Sequence, residues 1–282
     1  MYKILTKKIL NSQVKLLEID APLIAKKAQP GQFIILRINE EGERIPLTIA
    51  DFDASKGTVT IIFQEVGKTT RLLGTLNEGD ALLDFVGPLG VASHLEGYKK
   101  VAVIGGGLGT AIAYPQAKKL FGLGAQVDSI IGFRNKDLII LEDEIKKVST
   151  NTFVTTDDGS NGHKGFVSDI LRENIENGAN YDLVIAIGPL MMMKVICDIT
   201  KEYNIKTIVS MNPIMIDGTG MCGGCRVTVG GETKFACVDG PDFDGHLVDF
   251  ESAMNRQKMF KAEEEESSNH KCRIGLGGVH NG

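Results

Sequence analysis

Three of the five cysteines in this 282-residue chain crowd into one short segment. Cys222, Cys225 and Cys237 follow the order C-x2-C-x11-C. Thiolates two residues apart can wrap one metal centre, and Gly223 and Gly224 between them let backbone amides turn toward sulfur. From Arg226 the chain reads as strand, Gly230-Gly231 turn and strand, a hairpin that carries the third thiolate back to the loop it left. A fourth ligand is needed. Plant-type 2Fe–2S sites space their cysteines C-x4-C-x2-C and then a distant C, and the first of those places falls here on Asp217. A carboxylate can ligate iron, so Asp217, Cys222, Cys225 and Cys237 form a complete set. Cys197, His246 and Cys272 compete for the fourth place, with Cys197 in an apolar helical run that suits a buried structural thiol. Structural zinc, held by three cysteines and a histidine or aspartate, stays open on spacing alone, although zinc ribbons usually show two C-x2-C knuckles.

Five further groupings could hold anionic or heterocyclic ligands. Arg44-Ile45-Pro46-Leu47-Thr48 sets a guanidinium and a hydroxyl near one strand, suited to a phosphate and to a heterocycle edge. Gly67-Lys68-Thr69-Thr70 opens a short helix, where amides and hydroxyls face an anion. Taken singly, Arg44 also reads as a solvated charge at a strand end and Thr69 as an ordinary N-cap. The run Gly105-Gly106-Gly107-Leu108-Gly109-Thr110 follows a buried strand like a dinucleotide loop but lacks the G-x-G-x-x-G register. Asp128 lies about twenty residues beyond Gly107, where a ribose-binding carboxylate can stand, and Arg134 follows close behind, so NAD and NADP both stay open. Asp157-Asp158-Gly159-Ser160 and Gly188-Pro189 end predicted strands at the carboxyl edge, where open α/β sheets bind ligands; plain turn chemistry accounts for them equally.

The elements that must position these residues change character along the chain. Residues 1–98 show short apolar runs at 14–19, 33–38, 58–63 and 81–85, punctuated by glycine and proline turns, with one helix at 69–76. That pattern predicts a small antiparallel barrel. Residues 99–210 alternate strands (101–104, 127–132, 152–156, 183–187) with helices (111–121, 141–148, 167–177, 190–203), a doubly wound parallel sheet. Residues 211–246 form the cysteine-bearing subdomain, and 247–282 a partner-facing helix (247–264) ending in a polar tail from Ser267. Phe250, Met254, Met259 and Phe260 give that helix an apolar stripe, for its own chain or for a partner. A net charge of −5, with no basic cluster longer than a Lys-Lys pair, argues against nucleic acid. The first ten residues have no apolar core of signal length, and the apolar stretch 183–193 is broken by Gly188-Pro189. A soluble, cytoplasmic protein is expected, with no membrane contact.

Barrel, dinucleotide domain and cluster loop, in this order, resemble the electron-transfer branch of the ferredoxin reductase family over roughly residues 1–265. The motifs in order are Gln29-Pro30-Gly31-Gln32-Phe33, Arg44 to Thr48, Gly67 to Thr70, Gly87-Pro88-Leu89-Gly90 and Gly105 to Gly109. The run from Met211-Asn212-Pro213 through Asp217 to Cys225-Arg226 is similar to the small subunits of NADH-dependent reduced ferredoxin:NADP+ oxidoreductases, which also place aspartate first. Electron-transfer subunits of dihydroorotate dehydrogenase share the plan but use four cysteines. The resemblance implies an oxidoreductase with FAD, NAD(H) and a 2Fe–2S cluster. It places the FAD pyrophosphate at Arg44 and at Gly67, Lys68, Thr69 and Thr70, and the isoalloxazine against Pro46, Leu47 and Thr48. Thr48 then acts beside the reacting flavin nitrogen. The nicotinamide nucleotide falls to Gly107, Leu108, Gly109, Thr110, Arg134, Asp157, Asp158, Gly159, Gly188 and Pro189. One departure stands out. The common pattern R-x-Y-[ST] sets arginine three residues before the hydroxyl, where this chain has Ile45. The implied partner is a larger NADP(H)-binding subunit with a second FAD and 4Fe–4S clusters, in a heterodimer that meets ferredoxin through that partner. Subunits of dihydroorotate or sulfide dehydrogenases are the alternative, and a zinc-bearing assembly module is the reading from another class.

Overall fold

A computed structural model describes residues 1–269; the C-terminal Cys272 and the tail from residue 270 lie outside them. The N-terminal lobe is one antiparallel sheet of seven strands: β1 (Tyr2–Ile9), β2 (Val14–Asp20), β3 (Phe33–Arg37), β4 (Ile45–Asp53), β5 (Thr58–Gln64), β6 (Ala81–Leu82) and β7 (Asp84–Leu89). Their spatial order is β6-β1-β2-β5-β4-β3-β7, the expected small barrel. Alternation drives its closure, because Ile34, Leu36, Ile49, Ile61 and Phe63 turn inward and are wholly buried. Helix α1 (Pro22–Ala25) was not legible in the sequence; Pro22 presets its first turn, and Ile24 and Ala25 are buried. Helix α2 (Lys68–Thr75) buries Leu73 in the barrel core.

The second lobe sets β8 (Lys100–Gly106), α3 (Gly109–Gly122), β9 (Gln126–Phe133), α4 (Glu142–Lys147), β10 (Asn151–Thr156), α5 (Val167–Glu176), β11 (Leu183–Ile187), α6 (Leu190–Glu202) and β12 (Thr207–Ser210) in a doubly wound array. All five residues of β11 are buried, as a central parallel strand covered on both faces requires. The sheet order is β10-β9-β8-β11-β12-β15, and β15 (Asp242–Asp244) pairs antiparallel with β12 at the edge. The last two strands of this order, β12 and β15, escape sequence reading. Strand β12 has four residues, and β15 sits among Gly240-Pro241 and Gly245, where turn chemistry dominates. Strands β13 (Arg226–Val229) and β14 (Glu232–Phe235) make the expected hairpin, with Gly230 and Gly231 at φ +61° and +82° as its tight turn needs.

The expected helix over 247–264 is two helices, α7 (Phe250–Gln257) and α8 (Lys261–Asn269). Asp249 caps the first by accepting from Ser252 N at 2.9 Å, which sets its start. Helix α8 continues through Ser267 to Asn269, into the stretch read as tail. Phe250 and Met254 pack on their own chain, whereas Met259 and Phe260 remain about half exposed.

One junction ties the lobes. Asp242 Oδ2, on β15, accepts from Ser93 Oγ at 2.5 Å in the interlobe linker and from Gln116 Nε2 at 3.2 Å on α3. Val91 N donates to Gly240 O at 2.7 Å, and Ser93 N to Pro30 O at 2.9 Å. Lys118 on α3 grips both carboxylate oxygens of Asp51 on β4 at 2.8 Å. Burial pushes the Asp242 carboxyl above its ordinary value, against the bonds from Ser93, Ser210 and Gln116. A raised folded value means that the contribution of this group is present below about pH 4 and is lost as pH rises through the raised value. Asp242→Ala strands the donors of Ser93, Ser210 and buried Gln116 and is expected to cost about 1–3 kcal/mol. Asp242→Asn keeps an acceptor without the charge, so thermal unfolding at pH 7 should rank Asn at or above the native protein and Ala below it. The reverse order would remove the junction from the account.

Candidate functional site

A cleft of about 1040 Å³ runs between the lobes. Of the predicted residues it gathers Pro46, Leu47 and Thr48 from β4 with Gly107, Leu108, Gly109, Arg134, Asp157, Gly188 and Pro189 from the carboxyl edge of the second sheet. Strand β4 and helix α3 pack together, so the starts of both elements face the same space. Glycine makes that approach possible. A Cβ on Gly109 would stand 2.2 Å from Ile187 O, backbone against backbone, so α3 begins where only glycine fits. A Cβ on Gly188 would fall 3.1 Å from Gly106 Cα. Thr155 Oγ1, in the cleft wall, is buried without a hydrogen-bond partner; an orphan hydroxyl of this kind calls for a ligand atom or water.

Other predicted residues stand away from the cleft lining. Arg44 is exposed just before β4 and, by period two, shares the face of Pro46 and Thr48. Thr69 Oγ1 donates to Glu43 Oε2 at 2.5 Å, and Thr70 Oγ1 accepts from Val66 N and Gly67 N at 3.0 Å. Both hydroxyls of the expected anion cradle therefore have partners, and the main-chain amides that open α2 are what it can offer. Thr110 is wholly buried beneath Gly105. Asp158 accepts from Ser160 N at 2.9 Å in the turn with Gly159. Asp128 corrects an expectation: it is buried within β9, where Tyr181 Oη and Asn151 Nδ2 donate to it at 2.9 and 2.8 Å. The carboxyl end of β9 carries Arg134 instead.

Sequence reasoning missed the wall formed by Ser210, Met211, Asn212, Pro213 and Met215. This segment separates the cleft from a smaller cavity of about 210 Å³ that Ile214, Ile216, Gly224 and Arg226 line. It leads directly into the cysteine loop. Gly218, at φ +75°, rests on the barrel, where a Cβ would meet Ile35 Cδ1 at 2.5 Å and Leu89 Cδ1 at 3.0 Å. Ile35 in turn pairs with Pro46. The loop therefore rests on β3, the strand paired with the one that carries Thr48.

Within the loop the four donors form two pairs. Asp217 Oδ1 accepts from Cys222 Sγ at 3.3 Å, and the Cys237 thiol neighbours that of Cys225. Among the described residues, no three cysteine, histidine, aspartate or glutamate side chains converge as around a single ion. Two pairs suit a two-iron cluster with two protein ligands on each iron, whereas one zinc needs four ligands around one point. Asp217 also shapes the loop, accepting from Thr219 Oγ1 at 3.0 Å and from Met221 N and Cys222 N at 3.2 Å. Partial burial pushes its carboxyl up, but the bonds from Cys222 and Thr219 outweigh this and bring it to about 2. Burial and the neighbouring Cys225 push the Cys237 thiol to about 12. Of the competing ligands among the described residues, Cys197 is buried in α6, and His246 Nε2 lies 2.9 Å from Thr200 Oγ1.

Residues 212–249 match the iron-sulfur cluster binding domain of dihydroorotate dehydrogenase B. The chain is 45% identical over 246 residues to the dihydroorotate dehydrogenase B (NAD(+)) electron transfer subunit homolog of Thermotoga maritima, covering 87% of this chain and 86% of that one. This chain belongs to the family of dihydroorotate dehydrogenase B electron-transfer subunits. Another relative, an uncharacterized protein of the adh 3' region in Clostridium beijerinckii, is 56% identical over 272 residues, with 94% and 92% covered. A chain from the NADH-dependent reduced ferredoxin-NADP oxidoreductase structure, which addressed flavin-based electron bifurcation, is 43% identical. It covers 95% of this chain and 96% of its own, at a TM-score of 0.89. Family membership makes the chain the electron-transfer part of an oxidoreductase that works with a larger catalytic subunit. No helix among the described residues is long and apolar enough to cross a membrane.

Two outcomes are expected. Gly109→Ala should force the start of α3 away from β11, lower the thermal unfolding midpoint, and raise the Kd for NADH of the protein that remains folded at least about tenfold, roughly 1.4 kcal/mol, in titration calorimetry; unchanged affinity would detach this loop from the nucleotide. Asp217→Cys should retain iron and move the midpoint potential, because an oxygen donor becomes a thiolate; an unmoved potential in redox titration would deny Asp217 a place at the metal.

Proposed function

We propose that this chain is the electron-transfer subunit of an electron-bifurcating NADH-dependent reduced ferredoxin:NADP+ oxidoreductase. The observation that carries this reading is the donor set led by Asp217, paired with Cys222 and seated on the flavin-type barrel through Gly218. The 43% identity over nearly the whole chain supports it. When bound, FAD exchanges hydride with NAD(H) and a 2Fe–2S cluster relays single electrons to the larger subunit. Pro46, Leu47 and Thr48 take the isoalloxazine side of the cleft, with Thr48 presenting its hydroxyl to the reacting edge. Arg44, on the same strand face, and the turn at Gly67 with the amides of Lys68, Thr69 and Thr70 that follow it hold the FAD phosphates. Gly107, Leu108, Gly109 and Thr110 admit the nucleotide pyrophosphate to the start of α3, while Arg134, Asp157, Asp158, Gly159, Gly188 and Pro189 flank its two ends. Asp217, Cys222, Cys225 and Cys237 hold the cluster.

The partner in this reading is a larger NADP(H)-binding subunit with its own flavin and 4Fe–4S clusters. It meets ferredoxin, and the complex works in the cytoplasm. A second reading, an electron-transfer subunit for a dihydroorotate or sulfide dehydrogenase, draws on the matched iron-sulfur domain and on the Thermotoga maritima relative. It keeps the same cofactors and changes the partner. The test is a visible spectrum of anaerobically purified protein during addition of NADH and then NADPH. Rapid bleaching of a flavin band by NADH, with NADPH slow, is expected. Bleaching by NADPH alone would overturn the assignment of NAD(H) to this subunit.

A further inference from the structure

Two guanidiniums reach the cysteine loop, and neither is a ligand. Arg226 Nη1 donates to Gly223 O at 3.1 Å, and Arg256 Nη2, from α7, donates to Gly224 O at 3.1 Å. These carbonyls belong to successive peptide units with different destinations. The unit that carries Gly223 O also carries the Gly224 N–H, which donates to Cys222 Sγ at 3.4 Å. Arg226, that peptide and the Cys222 sulfur are therefore in series. A cation bonded to the carbonyl end of an amide polarises the amide and strengthens the bond its N–H makes, as chains of hydrogen bonds reinforce one another. Glycine is what permits the geometry. Gly223 sits at φ +67°, and a Cβ on Gly224 would lie 3.5 Å from Cys222 Sγ. Arg226 itself is held at the first position of β13, opposite Phe235, so the hairpin that returns Cys237 also aims this guanidinium.

We infer that Arg226 is a positioning residue that sets the electron affinity of the cluster by polarising the Gly223–Gly224 peptide against the Cys222 sulfur. The inference rests on the cluster reading above and extends it to a residue that touches no metal. Hydrogen bonds to cluster sulfurs favour the reduced, more negative state, so loss of this relay makes the cluster harder to reduce. Arg256 is the built-in comparison. It has the same charge and touches the same loop, but bonds to the neighbouring peptide unit.

The experiment is a redox titration of the purified native protein and of Arg226→Gln, Arg226→Lys, Arg226→Met and Arg256→Met, followed by visible and electron paramagnetic resonance spectra. Iron and acid-labile sulfide are measured first, so that a missing cluster, which would fail the underlying reading, is distinguished from a cluster of unchanged potential. The midpoint potential is expected to shift negative in Arg226→Met, to shift part of the way in Arg226→Gln, to return toward native in Arg226→Lys, and to shift less in Arg256→Met. If Arg226→Met does not retain a cluster, the Gln and Lys pair carries the comparison. Equal shifts for Arg226→Met and Arg256→Met would mean plain through-space charge and would overturn the relay, as would an unmoved potential in Arg226→Gln together with Arg226→Met.

Discussion

The contact on which this structure turns is backbone against side chain: Gly218 pressed onto Ile35 and Leu89 of the barrel. Electron relay between two centres needs them close and held still. Here the cysteine loop rests on Ile35 of β3, the strand paired with the one carrying Thr48, and a side chain at position 218 would press against that seat. The positive φ and the absence of a Cβ act together, so the approach rests on glycine twice over. Asp217, next in the chain, then organises the loop around its own carboxylate through bonds from Thr219, Met221 and Cys222. Packing and electrostatics in this loop are one arrangement.

The same economy appears in how the lobes are held. The chain leaves the parallel sheet at Ser210, lines the cleft with Met211 to Pro213, builds the cysteine hairpin, and returns as β15 beside β12. That return puts Asp242 under the linker at Ser93 and against Gln116 of α3. The cysteine segment is therefore structurally part of the nucleotide lobe while resting on the barrel. The interlobe cleft and the cavity beside the cysteine loop share one wall, Met211 to Pro213.

Much of this was legible in the sequence, for physical reasons that can be named. Short apolar runs at 33–38 and 58–63 between turn residues mark barrel strands, and a buried run ending in glycines marks β8 and the start of α3. The spacing from Asp217 to Cys222 anticipates their contact, and the Gly230-Gly231 turn the hairpin that returns the chain. What escaped depends on partners distant in the chain. Strand β15 reads as a turn until β12 pairs with it. Asp128 sits at a plausible ribose distance in sequence, yet its strand runs on to Phe133 and leaves it buried with Tyr181 and Asn151. Glu43 gave no signal that it would take the hydroxyl of Thr69. The break between α7 and α8 at residues 258–260 has no proline or glycine to announce it.

The central claim is that Asp217 with Cys222, and Cys225 with Cys237, are the two ends of a two-iron site. Its most direct test is metal and sulfide stoichiometry on protein purified without oxygen. The account predicts about two irons and two acid-labile sulfides per chain, and loss of both together when Cys225 and Cys237 are replaced by serine. One zinc per chain without sulfide would contradict it, because the paired donors would then have to gather around a single ion.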